Sequence, residues 1–136
     1  VWFDACVTNV DRTPRNTNML MWHRRLWLID HGASLYFHHT GGWETKPDRA
    51  HDAFPLIRDH VLLRRADRLL HIDEELASRL TPELVAGIVD LVPDAWIEGE
   101  MAADAGRARR AYRQYLTERL SAPRAFVEEA IRARRA

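Results

Sequence analysis

Asp11 and Asn16 stand with four residues between them, and Asp30 follows Asn16 by 14 positions. A carboxylate held at the end of a loop can orient a hydroxyl group and accept its proton. An amide carbonyl and a second carboxylate are hard oxygen donors of the kind magnesium prefers. Phosphoryl transfer needs both parts: an acceptor for the proton of the attacking hydroxyl, and a cation that neutralises charge on the transferred phosphate. On this spacing Asp11 is the candidate base, and Asn16 and Asp30 are the candidate magnesium and nucleotide ligands. Arg12 or Arg15 is the candidate positive charge beside the phosphate. Asp-x4-Asn by itself also describes a polar turn that uses Asn and Asp as caps.

The flanking elements are what must bring these residues together. Residues 1–8 read as the end of a buried helix, with Trp2, Phe3, Cys6 and Val7 apolar. Residues 9–18 form a polar loop rich in Asn, Asp, Thr and Pro. Met19–Trp22 and Leu26–Ile29 are short apolar runs separated by His23-Arg24-Arg25, which predicts a β-hairpin with a three-residue turn lacking glycine. Such a hairpin returns Asp30 to the neighbourhood of Asn16. Trp22 and Trp27 on it are expected to pack rather than to stack on a ligand.

Asn9-Val10-Asp11-Arg12-Thr13-Pro14-Arg15-Asn16, followed by Ile29-Asp30-His31-Gly32, resembles the catalytic and metal-binding loops of the HipA-type kinases. It is also similar to the Asp-Arg-His-x-x-Asn and Ile-Asp-Phe-Gly pattern of the phosphatidylinositol kinases. The Asn9-x-Asp11 prefix and Trp22-His23-Arg24-Arg25-Leu26-Trp27-Leu28 favour a small HipA-like kinase of bacterial type. The motif-level resemblance covers residues 1–39. Thr13 stands where relatives often carry His, and His31 where they often carry Phe.

The resemblance implies a mainly α fold with a small β-hairpin: the helical C-terminal lobe of a protein-kinase-like fold. Residues 1–39 would hold the catalytic and metal loops and residues 55–136 a helical subdomain. It implies magnesium and ATP as cofactors, Asp11, Arg12 and Asn16 as catalytic residues, and transfer of the γ-phosphate to a hydroxyl, of protein serine or threonine in this family. Kinases also anchor ATP with a Gly-rich loop and a strand lysine. Residues 1–136 contain no such loop, and the one lysine, Lys46, lies after the catalytic loop in an apparent surface segment. The expectation is therefore a piece of a longer protein whose N-terminal lobe is elsewhere, inactive as an isolated fragment. The alternatives are a non-catalytic helical module or pseudokinase fragment, or an Arg-rich RNA-binding domain.

The remaining sequence narrows the class. The 136 residues suit one domain, and with 46% hydrophobic residues the chain can bury a core. Twenty basic and 20 acidic residues cancel, so net charge gives no reason to expect nucleic acid or an anionic membrane as partner. No apolar run approaches the length of a membrane span. A single cysteine, Cys6, fits a reducing cytoplasm and reads as core rather than as a nucleophile.

Residues 33–39 suggest a short helix and residues 40–50 an exposed, mobile loop. Thr81-Pro82-Glu83 is a helix start, with Leu84, Val85, Ile88, Leu91 and Val92 on one face and Pro93 beyond the end. A longer helix is expected from Glu100 to Leu120 along Met101, Ala105, Ala108, Tyr112, Tyr115 and Leu116. Ser121 is expected to cap a last helix with Phe126, Val127, Ala130 and Ile131 inward. Residues 73–104 hold nine acids and one Arg, and residues 105–136 nine Arg and three Glu. Paired solvated faces are the simplest use of that asymmetry. An RNA-docking surface of Arg107, Arg109, Arg110 and Arg113 is the sharper one. His38 and His39, as helical neighbours, should point about 100° apart and not share an ion.

Overall fold

A computed structural model describes residues 1–40, 42–97 and 104–136, apart from the side chains of Glu44 and Pro47. It is mainly helical with one two-stranded antiparallel sheet. The packing groups residues 1–36, 53–71 and 125–136 into one compact unit, and residues 37–52 and 72–124 into another. The C-terminal helix groups with the N-terminal one in the first unit.

In the first unit, α1 (Trp2–Cys6) buries Trp2, Ala5 and Cys6 and packs on α6 (Ala125–Arg135). The Trp2 and Phe126 rings meet edge to face, with centroids 5.5 Å apart. Phe126, Val127 and Ala130 are buried as expected, and Phe54, Ile57 and Leu63 from residues 53–71 extend the core. Ser121 does not cap α6, which begins at Ala125. Ser121 ends the preceding helix, and its hydroxyl donates back to the Thr117 carbonyl at 3.1 Å.

Strands β1 (Met19–Trp22) and β2 (Arg25–Leu28) pair with Met19 opposite Leu28 and Trp22 opposite Arg25. The turn between them is thus two residues, not three. His23 and Arg24 both take positive φ, 48° and 62°, as the tight mirror-image turn requires. Neither is glycine, so each carries a cost on the order of 1 kcal/mol. Trp22 and Trp27 are not packed away: both are at least half exposed.

In the second unit, Trp43–Thr45 and Pro47–His51 are two 3₁₀ turns; Thr45, Lys46 and Asp48 are exposed as expected, while Trp43 and Ala50 are buried. Tyr36–His39 is also a 3₁₀ turn. Phe37, Trp43, Tyr112 and Tyr115 form an aromatic cluster; Phe37 lies 4.6 Å from Tyr115 and Trp43 lies 4.4 Å from Tyr112 between centroids. The helices are α2 (Leu69–Arg79), α3 (Pro82–Asp90), α4 (Asp94–Ile97) and α5 (Ala105–Leu120). Thr81 caps α3 as expected, its hydroxyl accepting from the Leu84 amide at 3.2 Å. Only part of the anticipated α3 stripe is buried, however. Of that stripe Val85 is buried, whereas Leu84, Ile88 and Leu91 remain exposed, and Val89, which was not expected, is buried as well. Asp104 caps α5 by accepting from the amides of Gly106 and Arg107. The expected start at Glu100, with Met101, lies outside the described residues.

The charge asymmetry is largely used within this unit. Arg113 pairs with Asp90, Arg109 with Asp94, and Arg124 with Asp73 at 2.9 Å and Glu74 at 2.6 Å. Of the four arginines considered as a docking surface, Arg107 and Arg110 stay exposed.

Candidate active site

The loop after α1 is built from short-range hydrogen bonds that its own polar residues supply. Asn9 accepts the Asp11 amide on its side-chain oxygen at 3.1 Å. The Thr13 amide donates to the carbonyls of Asp11 and Asn16, both at 2.9 Å, which folds residues 13–16 into a tight turn around Pro14. Within that turn Asn16 Nδ2 donates to Asp11 Oδ2 at 2.7 Å, so the two ends of the Asp-x4-Asn spacing meet. Asn18 Nδ2 donates to the same oxygen at 3.2 Å.

The hairpin closes the constellation. The Ile29 amide donates to the Asn18 carbonyl at 2.9 Å, continuing the ladder one step beyond β2. Asn18 Nδ2 then reaches the Asp30 carbonyl at 3.5 Å, a marginal contact. Asn18 thereby stands between Asp11 and the Asp30 backbone. Asn18 and Asp30 both have positive φ, 46° and 50°. Asn and Asp tolerate that region better than other non-glycine residues. The Asp30 carboxylate is exposed and has no hydrogen-bond or ion-pair partner among the described residues.

Arg12 is placed differently from Arg15. Its guanidinium is buried, and Nε donates to Asp4 Oδ1 at 2.9 Å. Nη1 donates to the carbonyls of Thr17 and Asn18, and Nη2 lies 3.4 Å from His31 Nδ1. Arg12, proposed from sequence as a catalytic charge, is therefore a tie between α1, the loop and the residue after Asp30. Its charge is taken up inside the protein. Arg15 is the arginine left exposed.

Two partners of this tie, Asp4 and His60, were not singled out from the sequence. Asp4 Oδ1 also accepts from Asn9 Nδ2 at 3.0 Å, and Asp4 Oδ2 accepts from His60 Nε2 at 3.0 Å. The Leu62 amide donates to His60 Nδ1 at 3.0 Å, which leaves the ring proton on Nε2, facing Asp4. Burial pushes the Asp4 carboxyl upward, but the hydrogen bonds from His60 and Arg12 outweigh it and hold it at about 2. The available clue was an acid in an otherwise apolar run, since a buried carboxylate needs partners. His60 offered none, because its partner lies 56 positions away.

His31, in place of the more frequent Phe, accepts from Arg12 and is positioned for Nε2 to donate to the Leu28 carbonyl at 3.3 Å. His38 and His39 do not point apart as helical neighbours would: their Nε2 atoms are 3.1 Å from each other. Burial, with the His39 charge beside it, lowers the His38 pKa. No group of three or more His, Cys, Asp and Glu side chains able to hold a metal occurs among the described residues.

The Asp11 loop is a different kind of donor set. Asn16 turns its amide nitrogen to Asp11, which leaves its carbonyl oxygen uncommitted, and Asp30 offers a free carboxylate. Both are hard oxygens of the type that magnesium takes alongside water and phosphate oxygens.

Comparison with family models, with curated proteins and with solved structures finds no match. No helix among the described residues is long and apolar enough to cross a membrane.

Proposed function

We propose that this chain is the catalytic-loop-bearing helical lobe of a HipA-like, protein-kinase-like phosphotransferase. The observation that carries the reading is the junction at Asp11 Oδ2, where Asn16 and Asn18 both donate while Asn18 also reaches the Asp30 backbone. This junction supports the reading because it joins Asp11 to Asn16 and brings the Asp30 backbone to Asn18 beside them.

In the proposed reaction Asp11 orients an acceptor hydroxyl and takes its proton. The hydroxyl oxygen bonds to the γ-phosphorus of ATP as the bridging bond breaks, and ADP leaves. Asn16 and Asp30 would hold magnesium, which supplies charge neutralisation on the phosphates when bound. Arg12 fixes the loop from inside rather than touching phosphate. The Gly-rich loop and ATP-anchoring lysine are proposed to lie outside residues 1–136, in an intact cytoplasmic protein. A protein serine or threonine is the acceptor class suggested by the resemblance.

The test is Asp11→Asn in the intact protein. Phosphotransfer should fall by roughly 10² to 10⁴, the usual contribution of a positioned proton acceptor, with ATP affinity little changed. Retention of more than half the wild-type turnover sinks the assignment.

A further inference from the structure

The 3₁₀ turn Tyr36–His39 is fixed on both sides of its histidines. Phe37 is buried, and its ring lies 4.6 Å from that of Tyr115 on α5. Thr40 closes the turn, its amide and its hydroxyl both donating to the Phe37 carbonyl, at 2.9 and 2.6 Å. His38 and His39 sit between these two anchors. Neighbours in a 3₁₀ helix stand about a third of a turn apart. The two Nε2 atoms nevertheless approach to 3.1 Å.

A hydrogen bond between the rings makes poor use of this approach. The ring centres are only 4.2 Å apart, with the planes at 73°. If the nitrogens pointed straight at each other, the centres would be farther apart than the nitrogens by two ring radii. The rings are therefore not end to end, and at least one lone-pair direction opens past the other nitrogen, whereas a strong hydrogen bond needs alignment. The second nitrogen of His38 has its own neighbour: Tyr112 Oη lies 3.4 Å from Nδ1. With the ring proton on Nδ1, facing that oxygen, Nε2 keeps its lone pair. A histidine oriented through one nitrogen and presenting the other is the arrangement that metal-binding histidines use. His39 is exposed and His38 half-buried, so solvent reaches the pair.

We propose that His38 and His39 chelate a divalent transition metal through Nε2 of both rings, with Tyr112 fixing the His38 tautomer from outside. Two imidazole nitrogens bound to one ion at about 2.0–2.1 Å lie about 2.9 Å apart at a right angle and about 3.3 Å apart at the tetrahedral angle. The observed separation falls between these limits, so the ion enters without the nitrogens having to part. Imidazole suits zinc, copper and nickel, whereas magnesium takes oxygen ligands. The metal class therefore differs from the one proposed for Asn16 and Asp30, and the inference does not depend on the kinase chemistry. With two protein ligands the site is an open one, its remaining positions filled by water. The competing occupant is a proton shared between the rings, which requires no metal.

The ring nitrogens are the reporters. In the ¹⁵N-labelled intact protein their resonances are assigned by their loss in His38→Ala and His39→Ala. Zinc chloride is then titrated near neutral pH, with magnesium chloride as the control. We expect the Nε2 signals of both rings to shift together and saturate at one zinc per pair, while magnesium moves neither. Each alanine variant should weaken zinc binding at the remaining ring by about tenfold or more. Tyr112→Phe, which keeps the aromatic ring and removes the outer partner, should weaken it by about tenfold. Copper should displace zinc from the same two nitrogens. Zinc shifts confined to one ring, shifts that magnesium reproduces, or zinc affinity unchanged in His38→Ala or His39→Ala overturn the proposal and leave the shared proton as the reason for the contact.

Discussion

Asp4 and His60 meet at 3.0 Å inside the first unit, although 56 positions separate them in the chain. Asp4 also holds Arg12, the immediate neighbour of Asp11, so a buried triad anchors the loop that carries the candidate base. Asp4 therefore connects folding stability with site geometry.

The first prediction concerns pH. The Asp4 carboxyl is held at about 2 in the folded protein, below the ordinary aspartate value near 4. A folded pKa that is depressed gives stability that is fully present above the unfolded value. That stability is lost as pH falls from about 4 through about 2. Its size is on the order of 2 kcal/mol. Denaturant unfolding of the intact protein at a series of pH values from 6 down to 2 should show this loss, and Asp4→Asn should show a shallower one. Parallel pH profiles for the two proteins contradict the assignment.

Arg12→Lys retains charge but not the planar fork that reaches Asp4, two carbonyls and His31 together. Losing charged hydrogen bonds from a buried site is expected to cost roughly 1.5–3 kcal/mol each. The unfolding midpoint should drop accordingly. Because the same fork sets the Asp11–Asn18 segment, kcat should fall while the KM for ATP moves little. A variant with wild-type midpoint and kcat rules out Arg12 as the tie.

How much of this was readable from sequence depends on the range of the interaction. The Asp11–Asn16 contact spans five positions and is enforced by a turn around Pro14, a range at which spacing suggests proximity but not the hydrogen bond itself. The hairpin itself was legible from two apolar runs, although its turn is one residue shorter than expected, and it brings the Asp30 carbonyl to Asn18. His23 and Arg24 take positive φ without the glycine that marks such turns. The Asp4–His60 contact was invisible because only the folded chain brings residues that far apart together. In residues 40–50 composition matched the exposed positions, among them Thr40, Lys46 and Asp48, but hid the buried Trp43 and Ala50. The glycines and charges of this segment suggest solvent, whereas the three-residue period that tucks Trp43 inward is too short to register as helical periodicity. On α3, periodicity put the inward face in the wrong place: of the expected stripe Val85 is buried while Leu84, Ile88 and Leu91 are exposed, and Val89, outside that stripe, is buried instead.

The central claim is that Asp30 and Asn16 serve one magnesium–nucleotide site beside Asp11. The most direct measurement is the magnesium concentration that half-saturates phosphotransfer by the intact protein, compared between wild type and Asp30→Asn. The substitution keeps the size of the side chain and removes the charged oxygen ligand. Loss of an outer-shell partner already weakens metal sites by roughly 10–100-fold, so loss of a direct ligand should raise the requirement at least that far. An Asp30→Asn protein with an unchanged magnesium requirement and undiminished kcat would contradict the account at its centre.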